Sequence, residues 1–196
     1  MKKIVLVLVF LLVFSAASLS AWEPSDLTKL PSCMSEKNWI LNLGVSLDMG
    51  WLGDLSRGGD FYSIPFVRLS FDKNVPIGDK NLPFFIGGII GYSAWGYTGN
   101  NAYAHHYIPL GVRFGYHFNF GVDNLDVYAV TTAGYRIHLF TGDKYYNNRN
   151  AFDLINDLMF GVNFGARWFV NSGFGFWAEV GYVGDLNLDI GIAFKL

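Results

Sequence analysis

The final eleven residues of the sequence alternate strictly between apolar side chains and polar or small ones. The apolar set is Leu186, Leu188, Ile190, Ile192, Phe194 and Leu196, and the set between them is Asn187, Asp189, Gly191, Ala193 and Lys195. Because successive side chains of a strand point to opposite faces, one face of this strand is wholly apolar. At roughly 3.3 Å per residue the segment can cross a bilayer when tilted. A strand in lipid needs a partner along both edges, so the pattern predicts that this strand closes a barrel against the first one.

The same alternation recurs through the chain and predicts about eight strands. They lie near 38–49, 62–72, 83–97, 108–119, 126–139, 158–170, 174–182 and 186–196. Residues 72–82 are predicted to form a turn region, and the segments 50–61, 96–105 and 141–156 to form longer loops at one end of the molecule. Short turns at one end and longer loops at the other are typical of transmembrane barrels. The predicted fold class is all-β: an eight-stranded antiparallel transmembrane β-barrel with its strands in up-and-down meander order.

Alternation alone does not say which face of the barrel looks outward. A soluble barrel of the lipocalin type would hold its apolar side chains inside and its polar ones outside. In the six clearest strands, however, the apolar face carries no Asp, Glu, Lys or Arg and many large aromatic residues. An eight-stranded barrel has an interior only just wide enough for side chains to fill, so these residues would not fit there. The apolar face is therefore predicted to face lipid, and the Gly-, Ser- and Asn-rich face to line the lumen.

Composition agrees with a protein whose outside does not face water. Charged residues make up 15% of the chain and aromatic residues 18%, against about 25% charged residues in typical soluble domains. Aromatic residues are expected to form girdles near the two ends of the barrel. Trp39, Tyr116, Phe118 and Trp168 are predicted at one end, and Trp51, Tyr92 and Trp95 at the other.

Nine charged residues occupy the alternate strand positions that face the lumen, a property that we call inward parity. They are predicted to form a charge network in the lumen. The positive members are Arg68, Arg113, Arg136, Arg167 and Lys195, and the negative members are Asp48, Asp126, Glu179 and Asp189. An unpaired charge in such an enclosed place would cost several kcal/mol, which favours pairing. Arginine can bridge two carboxylates through its planar fork of donors. The alternative is a water-filled pore lined by the same charges.

The beginning of the sequence is typical of a secretory signal peptide. Residues 1–21 combine a basic start, a short apolar core and a small-residue region, and cleavage after Ala17, Ser20 or Ala21 fits the pattern. The alternative is a membrane anchor, for which the apolar core is short. Residues 22–37 are predicted to be a periplasmic N-terminal segment, and residues 38–196 the outer-membrane β-barrel domain. Cys33 is the only cysteine, so no intramolecular disulfide is expected.

The signal peptide, the alternating strands and the terminal Leu188-x-Ile190-x-Ile192-x-Phe194-x-Leu196 pattern resemble small bacterial outer-membrane β-barrels of the OmpA, OmpX and OmpW kind. The resemblance covers about 38–196 and is architectural. It implies export to the bacterial outer membrane, contact with outer-membrane lipid and assembly by the barrel-assembly machinery. The family usually ends in Phe, whereas this sequence ends in Leu196. A monomer is expected, with loops that meet an external ligand or a host surface.

The sequence offers no catalytic constellation, and neither a metal nor another cofactor is expected. His105 and His106 are adjacent and so point to opposite faces, while His117 and His138 share the inward parity but lie towards opposite ends of the barrel. No serine lies in a nucleophile elbow. A basic surplus, which would indicate nucleic-acid binding, is absent: 14 Lys and Arg stand against 16 Asp and Glu. We expect a structural or surface-interaction protein and not an enzyme; the alternatives are an OmpW-like, porin-like narrow channel for small or apolar solutes and an envelope enzyme.

Overall fold

The computed structural model describes residues 28–48, 60–75, 77, 82–99, 102–142, 158–183 and 186–196. The predicted signal peptide, residues 1–21, and nearly all of the predicted loops 50–61 and 141–156 lie outside these ranges. The described residues form eight strands: β1 (Trp39–Asp48), β2 (Phe61–Asn74), β3 (Phe84–Tyr97), β4 (Tyr103–Phe118), β5 (Leu125–Gly142), β6 (Leu158–Phe169), β7 (Phe174–Val183) and β8 (Leu186–Lys195). None of the described residues belongs to a helix long and apolar enough to cross a membrane.

Every strand pairs antiparallel with its neighbour in sequence, and β8 pairs with β1 to close the barrel. This seam runs from the pair Ile40 and Lys195 to the pair Asp48 and Asn187. It is extended by two backbone hydrogen bonds between Trp39 and Leu196, with N–O distances of 3.1 and 2.8 Å. The predicted fold class, an eight-stranded antiparallel barrel in meander order, is confirmed.

The strands β2, β4 and β5 are longer than the sequence pattern predicts. The prediction of a turn from Asp72 is wrong, because Asp72 pairs with Gly87 and Asn74 pairs with Phe85 in the ladder between β2 and β3. The prediction of a loop over 96–105 is also wrong at both ends, since β3 continues to Tyr97 and β4 begins at Tyr103. We call the end of the barrel that contains Trp39 and Lys195 the near end, and the end that contains Tyr97 and Gly142 the far end. Because these strands are long, the barrel wall extends further at the far end on the side that they form.

The barrel is apolar outside and polar inside. Phe160, Phe164 and Val112 on the outer face are 66%, 61% and 63% exposed. The buried polar side chains include three arginines and four carboxylates, all on the inner face: Arg68, Arg113, Arg167, Asp72, Asp126, Glu179 and Asp189. Such a distribution suits a wall whose outer solvent is lipid, because apolar side chains lose nothing there and the closed ladder satisfies the backbone.

Two inward glycines make room for the rings that fill the lumen. Gly115 lies against the Phe85 ring and Gly165 against the Tyr128 ring, so that a Cβ at either position would overlap the ring. Both rings are completely buried and meet edge to face, with 5.7 Å between their centroids. The absence of side chains at these glycines is therefore what lets two large aromatic groups fit across a narrow barrel.

Residues 28–38 cover the near end, and we call them the near-end plug. Met34 is buried among Ile40, Phe169 and other apolar side chains at this end. The plug is also tied to the wall by hydrogen bonds to its backbone carbonyls. Asn74 Nδ2 donates to Ser35 O at 2.7 Å, and Lys73 Nζ donates to Glu36 O at 2.8 Å and to Lys37 O at 2.9 Å. The near end is thus closed by the chain's own N-terminal segment.

Candidate functional site

The lumen holds a continuous chain of alternating acidic and basic side chains, which we call the lumen network. Its members come from six strands and contact one another in the following order from the far end to the near end: Asp189, Arg68, Glu179, Arg113, Asp72, Arg167, Asp126 and His117. Every member is buried. The inward parity of a strand places each side chain in the lumen, and the antiparallel register brings partners from different strands to the same height.

Glu179 lies at the centre of the lumen network. Its Oε2 accepts a hydrogen bond from Arg68 Nη2 at 2.6 Å, and its Oε1 accepts one from Arg113 Nη2 at 2.6 Å. Tyr128 OH donates to Oε1 at 2.7 Å, and Asn163 Nδ2 donates to Oε2 at 3.1 Å. The carboxylate therefore joins two arginines and has both oxygens engaged.

Asp72 connects the centre of the lumen network to its near half. Its Oδ1 lies 3.1 Å from Arg113 Nε, and its Oδ2 accepts a hydrogen bond from Arg167. The sequence prediction missed this residue because the segment Asp72–Asn74 was assigned to a turn. Continuing the inward parity of Arg68 and Ser70 by one more step would have identified it.

The near half of the lumen network runs to the near-end plug. Arg167 Nη1 pairs with Asp126 Oδ2 at 2.7 Å, and Asp126 Oδ1 lies 2.6 Å from His117 Nδ1. His117 Nε2 lies 3.0 Å from Asn74 Oδ1, and Asn74 in turn donates to the plug at Ser35 O. The Arg167 guanidinium also stacks 4.0 Å from the centroid of a buried ring, that of Tyr128. Polar contacts thus continue from the middle of the barrel to its closed end.

At the far end of the network, Arg68 pairs through its Nη1 with Asp189 Oδ2. Asn187 Nδ2 donates to the same carboxylate oxygen at 2.9 Å. The Arg68 guanidinium lies 5.0 Å from the centroid of the Trp177 ring. A cation held between a carboxylate and an aromatic face is stabilised on both sides.

The structure brings together six of the nine residues predicted for the network: Arg68, Arg113, Asp126, Arg167, Glu179 and Asp189. Lys195 lies elsewhere, with its Nζ bonded to Cys33 O in the plug and 4.0 Å from the Phe169 ring centroid. Arg136 lies towards the far end, half-buried against Tyr107. Parity gave the correct face for both cations but not their height along the barrel. Asp48 ends β1, and its side chain lies outside the described part of the structure.

The barrel-closing strand has the predicted orientation. Leu188, Ile190 and Leu196 are exposed on the outer face, where they continue the apolar surface across the seam. Ile192 pairs with Leu43 and Phe194 pairs with Leu41 in the β1 ladder. The alternating residue Asp189 points inward to Arg68. One strand therefore serves both the lipid-facing surface and the lumen network.

The histidines at the far end have separate environments. His105 faces inward, and its Nδ1 lies 2.8 Å from His138 Nε2. His106 faces outward, where its Nδ1 lies 2.8 Å from Tyr92 OH. Trp95, predicted to belong to an interface girdle, instead stacks on His105 inside the barrel with 4.2 Å between ring centroids. Among the described residues no group of three or more potential ligands could hold a metal ion.

No protein-family model and no curated protein matches this chain. Among solved structures, the chain is similar to the N-terminal β-barrel domain of Pseudomonas aeruginosa OprF, with a TM-score of 0.49 and 10% identity over 83% of this chain and 100% of that one. It is also similar to the Yersinia pestis outer membrane protein Ail, with a TM-score of 0.42 and 10% identity over 81% and 99% of the two chains. A designed transmembrane β-barrel gives a TM-score of 0.45 and 13% identity over 83% and 98%.

The fold and the lumen together define a class of protein. A closed antiparallel barrel with an apolar outer surface and a buried ionic interior is an eight-stranded transmembrane β-barrel. This class follows from the geometry of the chain itself.

Proposed function

We propose that this chain is an outer-membrane β-barrel protein with a structural or surface-interaction role, exerted through the loops at the far end. The observation that carries the proposal is the lumen network, which crosses the interior from Asp189 to His117 without a break. A barrel of this kind acts as a rigid anchor and presents what its loops carry. The role is non-catalytic, since the titratable side chains of the network are engaged with one another.

Electrostatics supports a closed lumen rather than a pore. Each arginine of the network contacts two carboxylates, and the charged atoms are excluded from solvent. A permeating ion would have to separate such pairs in a medium of low dielectric constant, which costs several kcal/mol for each charge left unpaired. The near-end plug adds a second barrier in series.

One observation favours the alternative of a narrow channel for small or apolar solutes. A cavity of about 340 Å³ occupies the far half of the lumen. In a channel it would be the entrance chamber, and both the network and the plug would have to move before a solute could pass. The closed form is the simpler proposal.

Electrical recording and fractionation test the closed, membrane-inserted barrel. The full chain, expressed in cells, is expected in the outer-membrane fraction. The folded protein should run faster on gels before boiling than after. Inserted in a planar bilayer, it should give a current no larger than the baseline. Steady, large conductance would contradict the closed lumen. Recovery as a soluble periplasmic protein without detergent would contradict the membrane location.

Surface labelling on intact cells tests the orientation that a surface role needs. An epitope inserted within 144–156, the segment that connects β5 to β6, should be reached by antibody on intact cells. The matched control is the same epitope in the near-end turn 171–173, which should be reached only after the cells are opened. Labelling of the near-end epitope alone would reverse the orientation and remove the proposed surface role.

A further inference from the structure

The far half of the lumen contains a cavity of about 340 Å³ above the lumen network. Arg68 and Asp189 lie at its boundary with the network, and Arg136, Tyr107 and Trp95 line another part of its wall. The rest of the lining is mixed. It includes apolar side chains, among them Ile64, Phe66, Ile89 and Met159, and the neutral polar residues Ser46, Ser63, Ser93 and Asn187. Small-molecule sites have volumes of about 300–1,000 Å³ and combine apolar walls with a few polar groups, and this cavity fits that description.

Arg136 differs from the other inward arginines because it has no carboxylate partner among the described residues. Arg68, Arg113 and Arg167 each pair with two carboxylates in the network. The contact found for Arg136 is with the Tyr107 ring, whose centroid lies 6.0 Å from the guanidinium carbon. A half-buried cation in a concave site with low-dielectric walls attracts an anion. Its planar fork of donors matches a carboxylate in particular.

A stack of rings holds the side chain against which Arg136 rests. Tyr107 stacks on His138 with 4.6 Å between centroids and an interplanar angle of 7°. His138 stacks on His105 at 5.0 Å, and His105 stacks on Trp95 at 4.2 Å. Tyr107 and Trp95, the two ends of this stack, both line the cavity. The cavity therefore offers positioned aromatic groups beside an available cation.

We propose that this cavity binds a small organic anion, namely a carboxylate carried on a planar aromatic body. The carboxylate accepts hydrogen bonds from Arg136, and the planar body packs against Trp95, Tyr107 and the apolar part of the wall. An inorganic anion would leave the apolar wall unused, and a neutral aromatic compound would leave Arg136 unpaired. The site does not depend on whether the barrel conducts, since a closed lumen can hold a ligand at its far end.

Equilibrium dialysis of the full chain in lipid nanodiscs tests this site, with empty nanodiscs as the background. The probes are 1-naphthoate, its neutral amide 1-naphthamide, and acetate. Naphthoate should bind saturably and about tenfold or more tighter than the amide, the difference expected for one charge-assisted pair. Acetate should bind far more weakly because it lacks the aromatic body. Equal affinity for naphthoate and naphthamide, or no saturable binding above the empty discs, would overturn the proposal.

Three variants assign the binding to the cavity. Arg136→Met should weaken naphthoate by about tenfold or more while leaving naphthamide nearly unchanged, because the stem of the side chain is kept and the charge is lost. Trp95→Leu should weaken both probes. Lys73→Met removes the same charge at the near end and should change neither. Naphthoate binding that Arg136→Met does not weaken would place the ligand elsewhere; if that variant does not fold, the comparison of acid and amide on the parent chain decides.

Discussion

At the scale of single residues, Glu179 is the carboxylate at the centre of the lumen network. Its two oxygens accept hydrogen bonds from Arg68, Arg113, Tyr128 and Asn163. A buried ion pair of this kind is weak evidence for stability, because desolvation offsets most of the attraction between the charges. Removing one partner is strongly destabilising, because the arginines then stay buried without their counter-charge.

Glu179→Gln should therefore lower the free energy of unfolding by about 3–5 kcal/mol, as for other broken buried pairs. Urea unfolding in phospholipid vesicles, followed by tryptophan fluorescence, measures the change. Glu36→Gln is the matched control, because its side chain is exposed on the near-end plug and should change little. An equal effect of the two substitutions would show that water screens the lumen charges, as in a pore.

Cys33 reports on the near-end plug. Its partial burial in the plug raises the pKa of its thiol to about 11, with the negative charge of Asp126 acting in the same direction. Since the thiolate is the reactive form, a raised pKa lowers the fraction that reacts at pH 8. Iodoacetamide should therefore modify Cys33 about a hundredfold more slowly in the folded protein than in urea. Comparable rates in the two states, read by mass spectrometry, would show that the plug does not cover the thiol.

The lumen network shows what residue patterns predict and what they leave undetermined. Parity correctly placed Arg68 and Arg167 in the lumen, because the face of a strand residue depends only on counting by two. Arg136 and Lys195 also face inward, as parity predicts, but Arg136 lies on the far side of the network and Lys195 on its near side. Their height depends on the stagger between strands, which the turns and the ladder set together. Partners separated by more than a hundred residues, such as Arg68 and Asp189, cannot be paired from parity alone.

At the scale of elements, β8 is the strand on which closure depends. Deleting 186–196 should abolish stable insertion, because β1 and β7 would each expose an unpaired edge to lipid. The assay is the difference in gel mobility before and after boiling. Deletion of Leu196 alone is the control, because the ladder from Ile40 and Lys195 onward remains. Normal heat-modifiable accumulation of the shorter chain would show that β8 is dispensable.

The bounds of a strand were predictable where its two faces differ strongly in polarity. β6, β7 and β8 agree with the prediction to within about a residue or two at each end, because apolar and polar side chains alternate through them. The first part of β4 did not follow the pattern, since His105 faces inward and His106 outward and both are polar. Near the far end, polar side chains are accepted on both faces of the strand. The alternation of apolar and polar residues is therefore lost there, although the hydrogen-bonded ladder continues.

At the scale of the whole molecule, the barrel contrasts an apolar exterior with a buried ionic interior. The outer surface therefore predicts a cost for charge that depends on depth in the bilayer. Val162 lies near the middle of β6 and is 51% exposed, whereas Val170 lies just beyond the near end of the same strand and is 58% exposed.

Val162→Arg should lower the free energy of unfolding in vesicles by roughly 2–4 kcal/mol, the cost of arginine at the bilayer midplane. Val170→Arg places the same side chain near the interface and should cost about 0–1 kcal/mol. Urea titrations of both variants measure the difference. A soluble barrel would accept the charge equally well at both positions, so equal stabilities would contradict the transmembrane assignment.

The closing seam has a consequence for the time course of assembly. All strand pairings but one join neighbours in sequence, whereas the β1–β8 pairing brings Ile40 to Lys195. Contacts between distant parts of a chain require a larger loss of chain entropy before they form, so this pairing is expected to come last. Until it does, the wall is an open sheet whose two free edges can pair with other chains. The rate at which the two ends meet therefore sets how long each newly inserted molecule is vulnerable to edge-to-edge aggregation.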